Sequence, residues 1–228
     1  MKFIAQMGIR KLLVPEKIPD FAVDLYNKGA YSARQRYYNK IADEIFSEIE
    51  SGKILDIGTG PGYLPIEIAK RRPMIRIDGI DLSKRMIEVA RINARDAGVL
   101  SQINFEPGNA NKLRFGDNIY DMVVSTGVFH SWKNPIRAID EIHRVLKPEG
   151  LALIYDPALI FTNTKEVLRH CINWRDKLAF IWAVLAYLLA YPIMPSIKSI
   201  QAILSQTCFQ DYQVDKKDCI RIRLQKLS

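Results

Sequence analysis

A glycine-rich run and two carboxylates, Asp56 and Asp81, stand in the first half of the chain where they could bind a ligand. Residues 54–62 read Ile-Leu-Asp-Ile-Gly-Thr-Gly-Pro-Gly, which is typical of a buried strand that opens into a glycine turn and then a helix. Glycines permit positive φ and let a ligand approach without a Cβ in the way. Asp81 follows Asp56 at the end of the next predicted strand, where a carboxylate can accept hydrogen bonds from both ribose hydroxyls.

The spacing of the glycines excludes two common nucleotide motifs. The dinucleotide fingerprint requires a glycine where Tyr63 stands, and no Gly-Lys-Ser/Thr follows the loop, so the Walker motif is absent as well. A lone glycine loop is also compatible with a tight turn that binds nothing. On the same strand as Asp81, the sequence predicts that Asp78 is a solvated edge residue.

His130 is the candidate for proton transfer. It follows the fourth predicted strand in Ser-Thr-Gly-Val-Phe-His-Ser-Trp, residues 125–132, and histidine suits proton transfer near neutral pH. The alternative is that His130 only shapes a pocket. We expect His143 to be a packed, hydrogen-bonded core histidine on the helix at 135–146, and His170 to lie on the surface or in a lid. The chain has no second ligand at metal spacing and no hydrolase elbow, so no metal is predicted.

The elements that position these residues form an α/β pattern. From Lys53 onward, short β-branched runs alternate with helical patterns, which predicts a parallel sheet covered by helices. Strands are predicted at 53–57, 75–80, 103–106, 121–125 and 150–155, with helices at 63–71, 84–97 and 135–146.

The helix at 135–146 has the clearest local signals. Asn134 can cap it, Pro135 suits its first turn, and one face is predicted to consist of Ile136, Ile139, His143 and Leu146. We expect it to end before Lys-Pro-Glu-Gly at 147–150.

The flanking segments complete one domain over residues 1–228. Residues 1–50 are predicted to form a helical cap over one end of the sheet, with Ile41, Ile45, Phe46 and Ile49 spaced for burial. The cofactor-binding core is expected at 51–160, a helical lid at 161–206 and closing strands at 207–228. The last two extended runs, 211–216 and 219–226, are predicted to form an antiparallel hairpin.

Composition agrees with an ordinary globular protein. The chain has 48% hydrophobic and 25% charged residues, and its net charge of +8 is dispersed among acids, which is weak evidence for a nucleic-acid partner. Three cysteines without C-x-x-C spacing fit neither a disulfide framework nor a zinc site. The N-terminal sequence does not resemble a signal peptide, so a cytoplasmic location is expected.

With these motifs in order, the sequence resembles the class I S-adenosylmethionine-dependent methyltransferases, in the group similar to ubiquinone/menaquinone C-methyltransferases. The resemblance covers residues 37–156 and is carried by ILDIGTGPG, IDGIDLS, EPGNANKLRF with DMVVSTGVFHSWKNP, and IHRVLKPEG leading into LALIYD. It implies a Rossmann-like, seven-stranded, mostly parallel sheet with an antiparallel closing strand and helices on both faces. An N-terminal helical cap and a helical lid after the fifth strand are also implied.

The resemblance also implies a cofactor site for S-adenosylmethionine, with S-adenosylhomocysteine as the product. The region of Asp56, Gly58 and Gly60 would hold the methionine part, Asp81 the ribose, and Leu82 and Met86 the adenine. Asn109 stands where the family more often has Asp, and its side-chain carbonyl can still accept from the adenine amino group. The full set of expected cofactor-binding residues is Asp56, Gly58, Thr59, Gly60, Gly62, Asp81, Leu82, Met86, Asn109, Ala110, Ser125 and Thr126.

An uncharged stretch at residues 178–197 bears on the choice of acceptor. Its length borders on a membrane span, yet a crossing there would separate the last two strands from the sheet. A buried lid helix is favoured over a dimer contact or a peripheral membrane element. An uncharged lid rich in aromatic residues indicates a small apolar or aromatic acceptor. The candidate acceptor contacts are Tyr31, Tyr37, Trp132, Trp182 and Tyr187.

Other functions remain open at this point. Tyr31 and Tyr37 could equally belong to ordinary helix packing. A non-catalytic S-adenosylmethionine-binding protein is compatible with the same glycine loop, and RNA or protein are alternative acceptors. Nucleic acid is disfavoured because STGVF, residues 125–129, replaces the Asn/Asp-Pro-Pro-aromatic motif of enzymes that methylate nucleic-acid amino groups.

Overall fold

The computed structural model describes residues 16–17, 20, 23–156, 196–216 and 219–228, with only the backbone of 24–26 and 28–36. Its helices are α1 Val23–Glu48, α2 Tyr63–Arg71, α3 Lys84–Asp96, α4 Pro135–Val145 and α5 Ile197–Leu204. Its strands are β1 Gly52–Ile57, β2 Ile75–Asp81, β3 Ile103–Pro107, β4 Tyr120–Thr126, β5 Leu146–Asp156, β6 Asp211–Lys216 and β7 Ile220–Gln225.

The seven strands form one sheet in the order β3-β2-β1-β4-β5-β7-β6. The first five strands of the chain pair in parallel, β7 is antiparallel to β5, and β6 closes the sheet as a hairpin with β7. The predicted Rossmann-like fold is confirmed. Because the strand order reverses between β1 and β4, a crevice opens outside the carboxyl ends of these two strands, where open α/β sheets bind ligands.

Both faces of the sheet are covered by helices. Neighbouring residues of a strand point to opposite faces, so Ile54 belongs to the core beneath α1, α2 and α3, whereas Leu55 belongs to the core beneath α4 and α5. Both side chains are fully buried. This two-sided burial explains why residues 122–124 of β4 and 151–154 of β5 read as apolar runs without alternation.

The N-terminal helix α1 packs against the sheet through the residues that its sequence spacing predicts to be buried. Ile41 and Ile45 of α1 are buried as expected and pack in the core beside α2, whereas Phe46 and Ile49 are half-buried against the same core. Ion pairs join α1 to β7: Glu44 pairs with Arg221, and Glu48 lies 3.4 Å from Arg223. The spacing of apolar residues therefore identified the packed face of α1, although only two of the four predicted residues are fully buried.

The buried face of α4 and the start of β5 also differ from the prediction. Asn134 caps the helix by accepting the backbone N–H of Arg137 at 3.2 Å, but the buried residues are Pro135, Ala138, Ile139, Ile142 and Val145. Ile136 and His143 are half-buried. The His143 ring packs edge-on against the Phe209 ring, with 4.9 Å between the ring centroids.

Strand β5 begins at Leu146, four residues earlier than predicted. Pro148 and Gly150 read as a turn, yet this segment is a bulge within the strand. The pairing with β4 jumps from Tyr120–Leu146 to Met122–Leu151, and backbone hydrogen bonds between 149–150 and Lys226 keep the segment in the sheet.

Asp78 is buried, contrary to the expected solvated position. It is 7% exposed and pairs with Lys53 Nζ at 2.8 Å and with the Tyr120 hydroxyl at 2.7 Å. Because the Asp78 side chain is almost fully removed from water, its carboxylate must be paired to offset the desolvation.

No helix among the residues with described coordinates is long and apolar enough to cross a membrane. The uncharged stretch 178–197 falls almost wholly outside those residues. Its role as a lid, a dimer contact or a membrane-surface element therefore stays a prediction.

Candidate functional site

The glycine loop follows β1 at the carboxyl edge of the sheet. The backbone N–H groups of Gly58 and Thr59 donate to the carbonyl of Ile80 at 2.8 and 2.9 Å, which ties the loop to β2. Gly58 and Gly62 have φ of 77° and 80°. A Cβ on Gly58 would come within 2.7 Å of the Val128 side chain. Packing therefore requires glycine at Gly58.

Gly60 differs from its neighbours in what surrounds it. Its φ is 52°, and a Cβ built on it would meet no described atom within 4 Å. A Cβ on Gly62, by contrast, would come within 2.8 Å of the Phe105 ring. Gly62 is thus needed for helix packing, whereas Gly60 borders open space. A ligand can approach the backbone most closely at Gly60.

Asp56 presents a buried carboxylate at this edge. Its side chain is fully buried, and within the described part of the chain neither carboxylate oxygen has a hydrogen-bond partner of good geometry. Burial raises the pKa of Asp56 to about 7, with the nearby Thr59 hydroxyl opposing this rise and the Asp81 charge adding to it. A buried carboxylate without a partner is costly, so a cationic group from a ligand would stabilise its ionised form.

Asp81 links β2 to the glycine loop. Its Oδ2 accepts the Gly60 N–H at 3.0 Å and its Oδ1 accepts the Ser83 N–H at 2.8 Å. Burial raises the pKa of Asp81, and the two backbone hydrogen bonds oppose the rise. A carboxylate has about four lone-pair sites, so one that accepts two backbone bonds is oriented and can still accept ligand hydroxyls.

The predicted adenine contacts have different surroundings. Leu82 is 38% exposed and Asn109 is exposed, while Ala110 is 8% exposed. Asn109 Oδ1 accepts the backbone N–H of Asn111 at 2.8 Å, which orients its amide. Met86 lies in a small cluster with Val23 under the N-terminal helix and is 2% exposed.

The end of β4 lies beside this loop. The buried Ser125 hydroxyl donates to the Ile57 carbonyl at 2.8 Å and joins the ends of β1 and β4, while Thr126 is half-buried. Beyond β4, the Trp132 ring packs against Phe129 with centroids 5.3 Å apart. These residues thus follow the strand next to β1 on the predicted ligand edge.

His130 has a carboxylate partner that sequence reasoning missed. The backbone N–H of His130 donates to Oδ2 of Asp156 at 2.8 Å, and His130 Nδ1 lies 2.7 Å from Oδ1 of the same residue. Asp156 is fully buried at the end of β5. The available signal was an acidic residue ending an apolar strand, in Leu-Ala-Leu-Ile-Tyr-Asp.

The N-terminal helix α1 contacts α2, which follows the glycine loop, and α3. Asn27 Oδ1 accepts from the Tyr63 hydroxyl at 2.6 Å and from the Asn93 amide at 3.2 Å. The Tyr37 hydroxyl is buried, and burial, Cys219 and the charge of Asp156 raise its pKa far above its ordinary range.

The remaining predicted acceptor contacts cannot be located. The Tyr31 side chain, Trp182 and Tyr187 lie outside the described residues. Among the residues whose positions are described, no three His, Cys, Asp or Glu side chains cluster as metal ligands would.

Several known proteins that are similar to this chain are described as methyltransferases. The profile of the family described as "Methyltransferase domain" matches residues 49–217. The chain is 28% identical over 134 residues to the ubiquinone/menaquinone biosynthesis C-methyltransferase UbiE of Citrifermentans bemidjiense, covering 58% of this chain and 57% of that protein.

Two further proteins are similar to this chain, one over about half of its length and one over nearly all of it. The malonyl-[acyl-carrier protein] O-methyltransferase of Geobacter sulfurreducens is 36% identical over 124 residues, which cover 54% of this chain and 45% of that protein. A crystal structure from Methanococcus maripaludis, of a proposed S-adenosyl-L-methionine-dependent methyltransferase, superposes with a TM-score of 0.77 and 26% identity over 93% of this chain and 95% of that one. The chain spans little more than half of the first curated relative's length and less than half of the second's.

Proposed function

This chain belongs to the methyltransferase-domain family, and from that membership we propose that it transfers a methyl group from S-adenosylmethionine to a small apolar or aromatic acceptor. The observation that carries the proposal is the buried carboxylate of Asp56, which has no partner of good geometry among the described residues and lies beside the loop that opens at Gly60.

The residues at the carboxyl edge fit the cofactor's chemical groups. S-adenosylmethionine carries an ammonium group, a sulfonium group, a ribose with two hydroxyls, and an adenine. Asp56 offers a buried negative charge to the cationic end, and the Gly60 backbone can be approached without a Cβ in between. Asp81 would accept the ribose hydroxyls, since its two backbone hydrogen bonds orient its carboxylate.

Other cofactor contacts follow from the same arrangement. Leu82, with its exposed side chain, would pack on one face of the adenine, and Asn109 would meet the adenine edge. Met86 is proposed to support this pocket from beneath, because it is buried behind the first turn of α3.

The protein's part in the chemistry is chiefly positioning. When bound, the cofactor supplies a methyl group on a positively charged sulfur, which is already an activated leaving group. A base is needed only if the acceptor atom carries a proton. We assign that task to His130, since its turn packs on the loop: the Val128 side chain lies where a Gly58 Cβ would be.

The acceptor class rests on the relatives and on aromatic residues near the site. One curated relative is named for ubiquinone and menaquinone biosynthesis, and another for a malonyl group on acyl-carrier protein. Trp132, packed on Phe129 after β4, would form part of an apolar wall. Tyr31, Tyr37, Trp182 and Tyr187 are proposed to complete it.

A two-part experiment tests the function. Calorimetry should detect binding of S-adenosylmethionine and competition by S-adenosylhomocysteine, with Asp81→Ala as the weakened control. A cell extract incubated with methyl-tritiated cofactor should then place the label in the small-molecule or lipid-soluble fraction.

Three results would contradict the proposal. Absence of binding by the folded protein rejects the cofactor assignment. Label in RNA or protein moves the function to those acceptors. Binding without any protein-dependent label transfer identifies a non-catalytic cofactor-binding protein.

A further inference from the structure

Asp156 and His130 meet because β4 and β5 are neighbours in the sheet. Thr126 at the end of β4 pairs with Tyr155 near the end of β5, and Gly127 N–H donates to the Tyr155 carbonyl at 2.7 Å. The short helical turn 129–131 then brings His130 back over the last residue of β5.

The carboxylate makes two hydrogen bonds to one residue. Oδ2 accepts the backbone N–H of His130 and Oδ1 lies 2.7 Å from its Nδ1. Both the turn and the ring are therefore held in place. The Asp156 side chain is fully buried and the His130 side chain is 20% exposed, so little water competes for the contact.

The hydrogen bonds select one tautomer of the imidazole. A carboxylate only accepts hydrogen bonds, so Nδ1 must carry the hydrogen that fills the 2.7 Å contact. In the neutral ring Nε2 then holds the lone pair, and it is the nitrogen that can accept a proton. This is the logic by which a buried aspartate orients a general-base histidine in hydrolytic triads.

We propose that Asp156 is a positioning residue that holds His130 as a proton acceptor, and that the methyl acceptor is a neutral molecule whose nucleophilic atom carries a proton. A hydroxyl, a phenol or an acidic C–H group meets this description. The inference deepens the proposed function and rests on it for the identity of the methyl donor.

The step balances in atoms and charge. The acceptor atom forms its bond to the methyl carbon, and the electrons of the broken carbon–sulfur bond stay on sulfur. The proton that the acceptor atom carried passes to Nε2 of His130. The donor's positive charge thus ends on the imidazolium, where the Asp156 carboxylate stabilises it.

Nitrogen NMR tests the positioning without any turnover. The full chain has three histidines, His130, His143 and His170. In the uniformly labelled protein at mildly alkaline pH, long-range nitrogen–proton correlations should report His130 as the Nδ1–H tautomer. The resonances are assigned by their loss in His130→Asn, which keeps a donor toward Asp156. His143 serves as the internal control.

Asp156→Asn should reverse the tautomer. The backbone N–H of His130 still needs an acceptor, so the new amide must turn its oxygen there and its NH₂ toward Nδ1. Nδ1 must then accept, and the hydrogen moves to Nε2. An Nε2–H tautomer in the wild-type protein, or an unchanged one in Asp156→Asn, overturns the inference. Asp156→Glu, which keeps the charge, should retain the wild-type pattern.

Turnover tests the acceptor class with paired probes. With a simple phenol as acceptor, Asp156→Asn should reduce turnover by about 10²–10³-fold, within the range typical of general-base catalysis. With a nitrophenol that is already ionised at the assay pH, the loss should be less than about tenfold, because no proton must be removed. Equal losses for both probes overturn the proton-acceptor role.

The two proposals can fail separately. If the tautomer reverses as expected but the wild-type protein binds no S-adenosylmethionine, the proposed function fails and the positioning by Asp156 stands. If binding and turnover are found but the tautomer in Asp156→Asn is unchanged, the proposed function stands and the role of Asp156 is refuted.

Discussion

Asp56→Asn should stabilise the ligand-free protein and weaken its cofactor binding. Burial raises the Asp56 pKa from 3.8 to about 7. The corresponding free energy is roughly 4 kcal/mol, since one pKa unit corresponds to about 1.4 kcal/mol. The side chain is fully buried, so solvent screening removes little of this cost. Asparagine has nearly the same shape and cannot ionise.

The sign of the pH dependence follows from the raised pKa. Between pH 3.8 and about 7 the folded protein binds a proton that the unfolded chain has released. The stability that this proton contributes is fully present below 3.8 and is lost as the pH rises through about 7. The stability of Asp56→Asn should not fall in this pH range, because asparagine does not titrate. Its unfolding free energy relative to that of the wild type should therefore increase by about 3 kcal/mol between pH 5 and 8.

Urea unfolding of the ligand-free protein measures this difference, with circular dichroism and tryptophan fluorescence as two probes at each pH. Asp121→Asn is the matched control. Burial opposes ionisation of Asp121, but hydrogen bonds from Lys147 and from the Lys53 backbone outweigh it and lower its pKa. Asp121→Asn should therefore be less stable than wild type by an amount that stays constant between pH 5 and 8.

A difference in unfolding free energy between wild type and Asp56→Asn that is the same at pH 5 and pH 8 would contradict a raised pKa for Asp56. A second readout is the affinity for S-adenosylmethionine. In the wild type it should rise as the pH passes about 7 and Asp56 ionises, whereas Asp56→Asn should show a weaker affinity without that rise.

The remaining predictions concern the loop and the sheet. Asp81→Ala should weaken S-adenosylmethionine binding by about 1.5–3 kcal/mol in calorimetry through lost ribose hydrogen bonds; an unchanged dissociation constant would remove Asp81 from the site. Gly62→Ala should cost about 2–4 kcal/mol of unfolding free energy, because positive φ adds to a clash with Phe105, whereas Gly60→Ala should cost about 1 kcal/mol and chiefly impair ligand binding. Equal unfolding effects would contradict that distinction. Tyr120→Phe removes the 2.7 Å hydrogen bond to Asp78 and should lower stability by about 1.5–3 kcal/mol in urea melts, with no change in ligand affinity.

The fold was predictable because its signals are local. The run Ile54–Gly62 predicts a buried strand and a glycine turn from adjacent residues alone, and both are observed. The cap at Asn134 likewise depends only on the next three residues. Errors arose where local preferences were overridden. Pro148 and Gly150 suggest a turn, but backbone hydrogen bonds of Glu149 and Gly150 to Lys226 hold this segment within a strand.

The residues of the candidate site likewise fall into those that local signals predict and those that only tertiary contacts reveal. The glycine loop and Asp81 could be placed because each ends a strand, and parallel strands bring their carboxyl ends to one edge. The sequence also singled out His130, since histidine suits proton transfer. Its partner Asp156 was missed, because nothing local to either residue indicates a hydrogen bond across 26 positions of the chain.

The order of the elements, the glycine loop and the residue types available for chemistry therefore follow from local patterns, since hydrophobic periodicity and backbone preference act over a few residues. Tertiary structure alone decided which side chains meet. The adjacency of β4 and β5 joined Asp156 to His130, and burial of β2 on both faces forced Asp78 to pair with Lys53 and Tyr120. Electrostatic and hydrogen-bond energies depend on distance and burial, and both are properties of the assembled sheet.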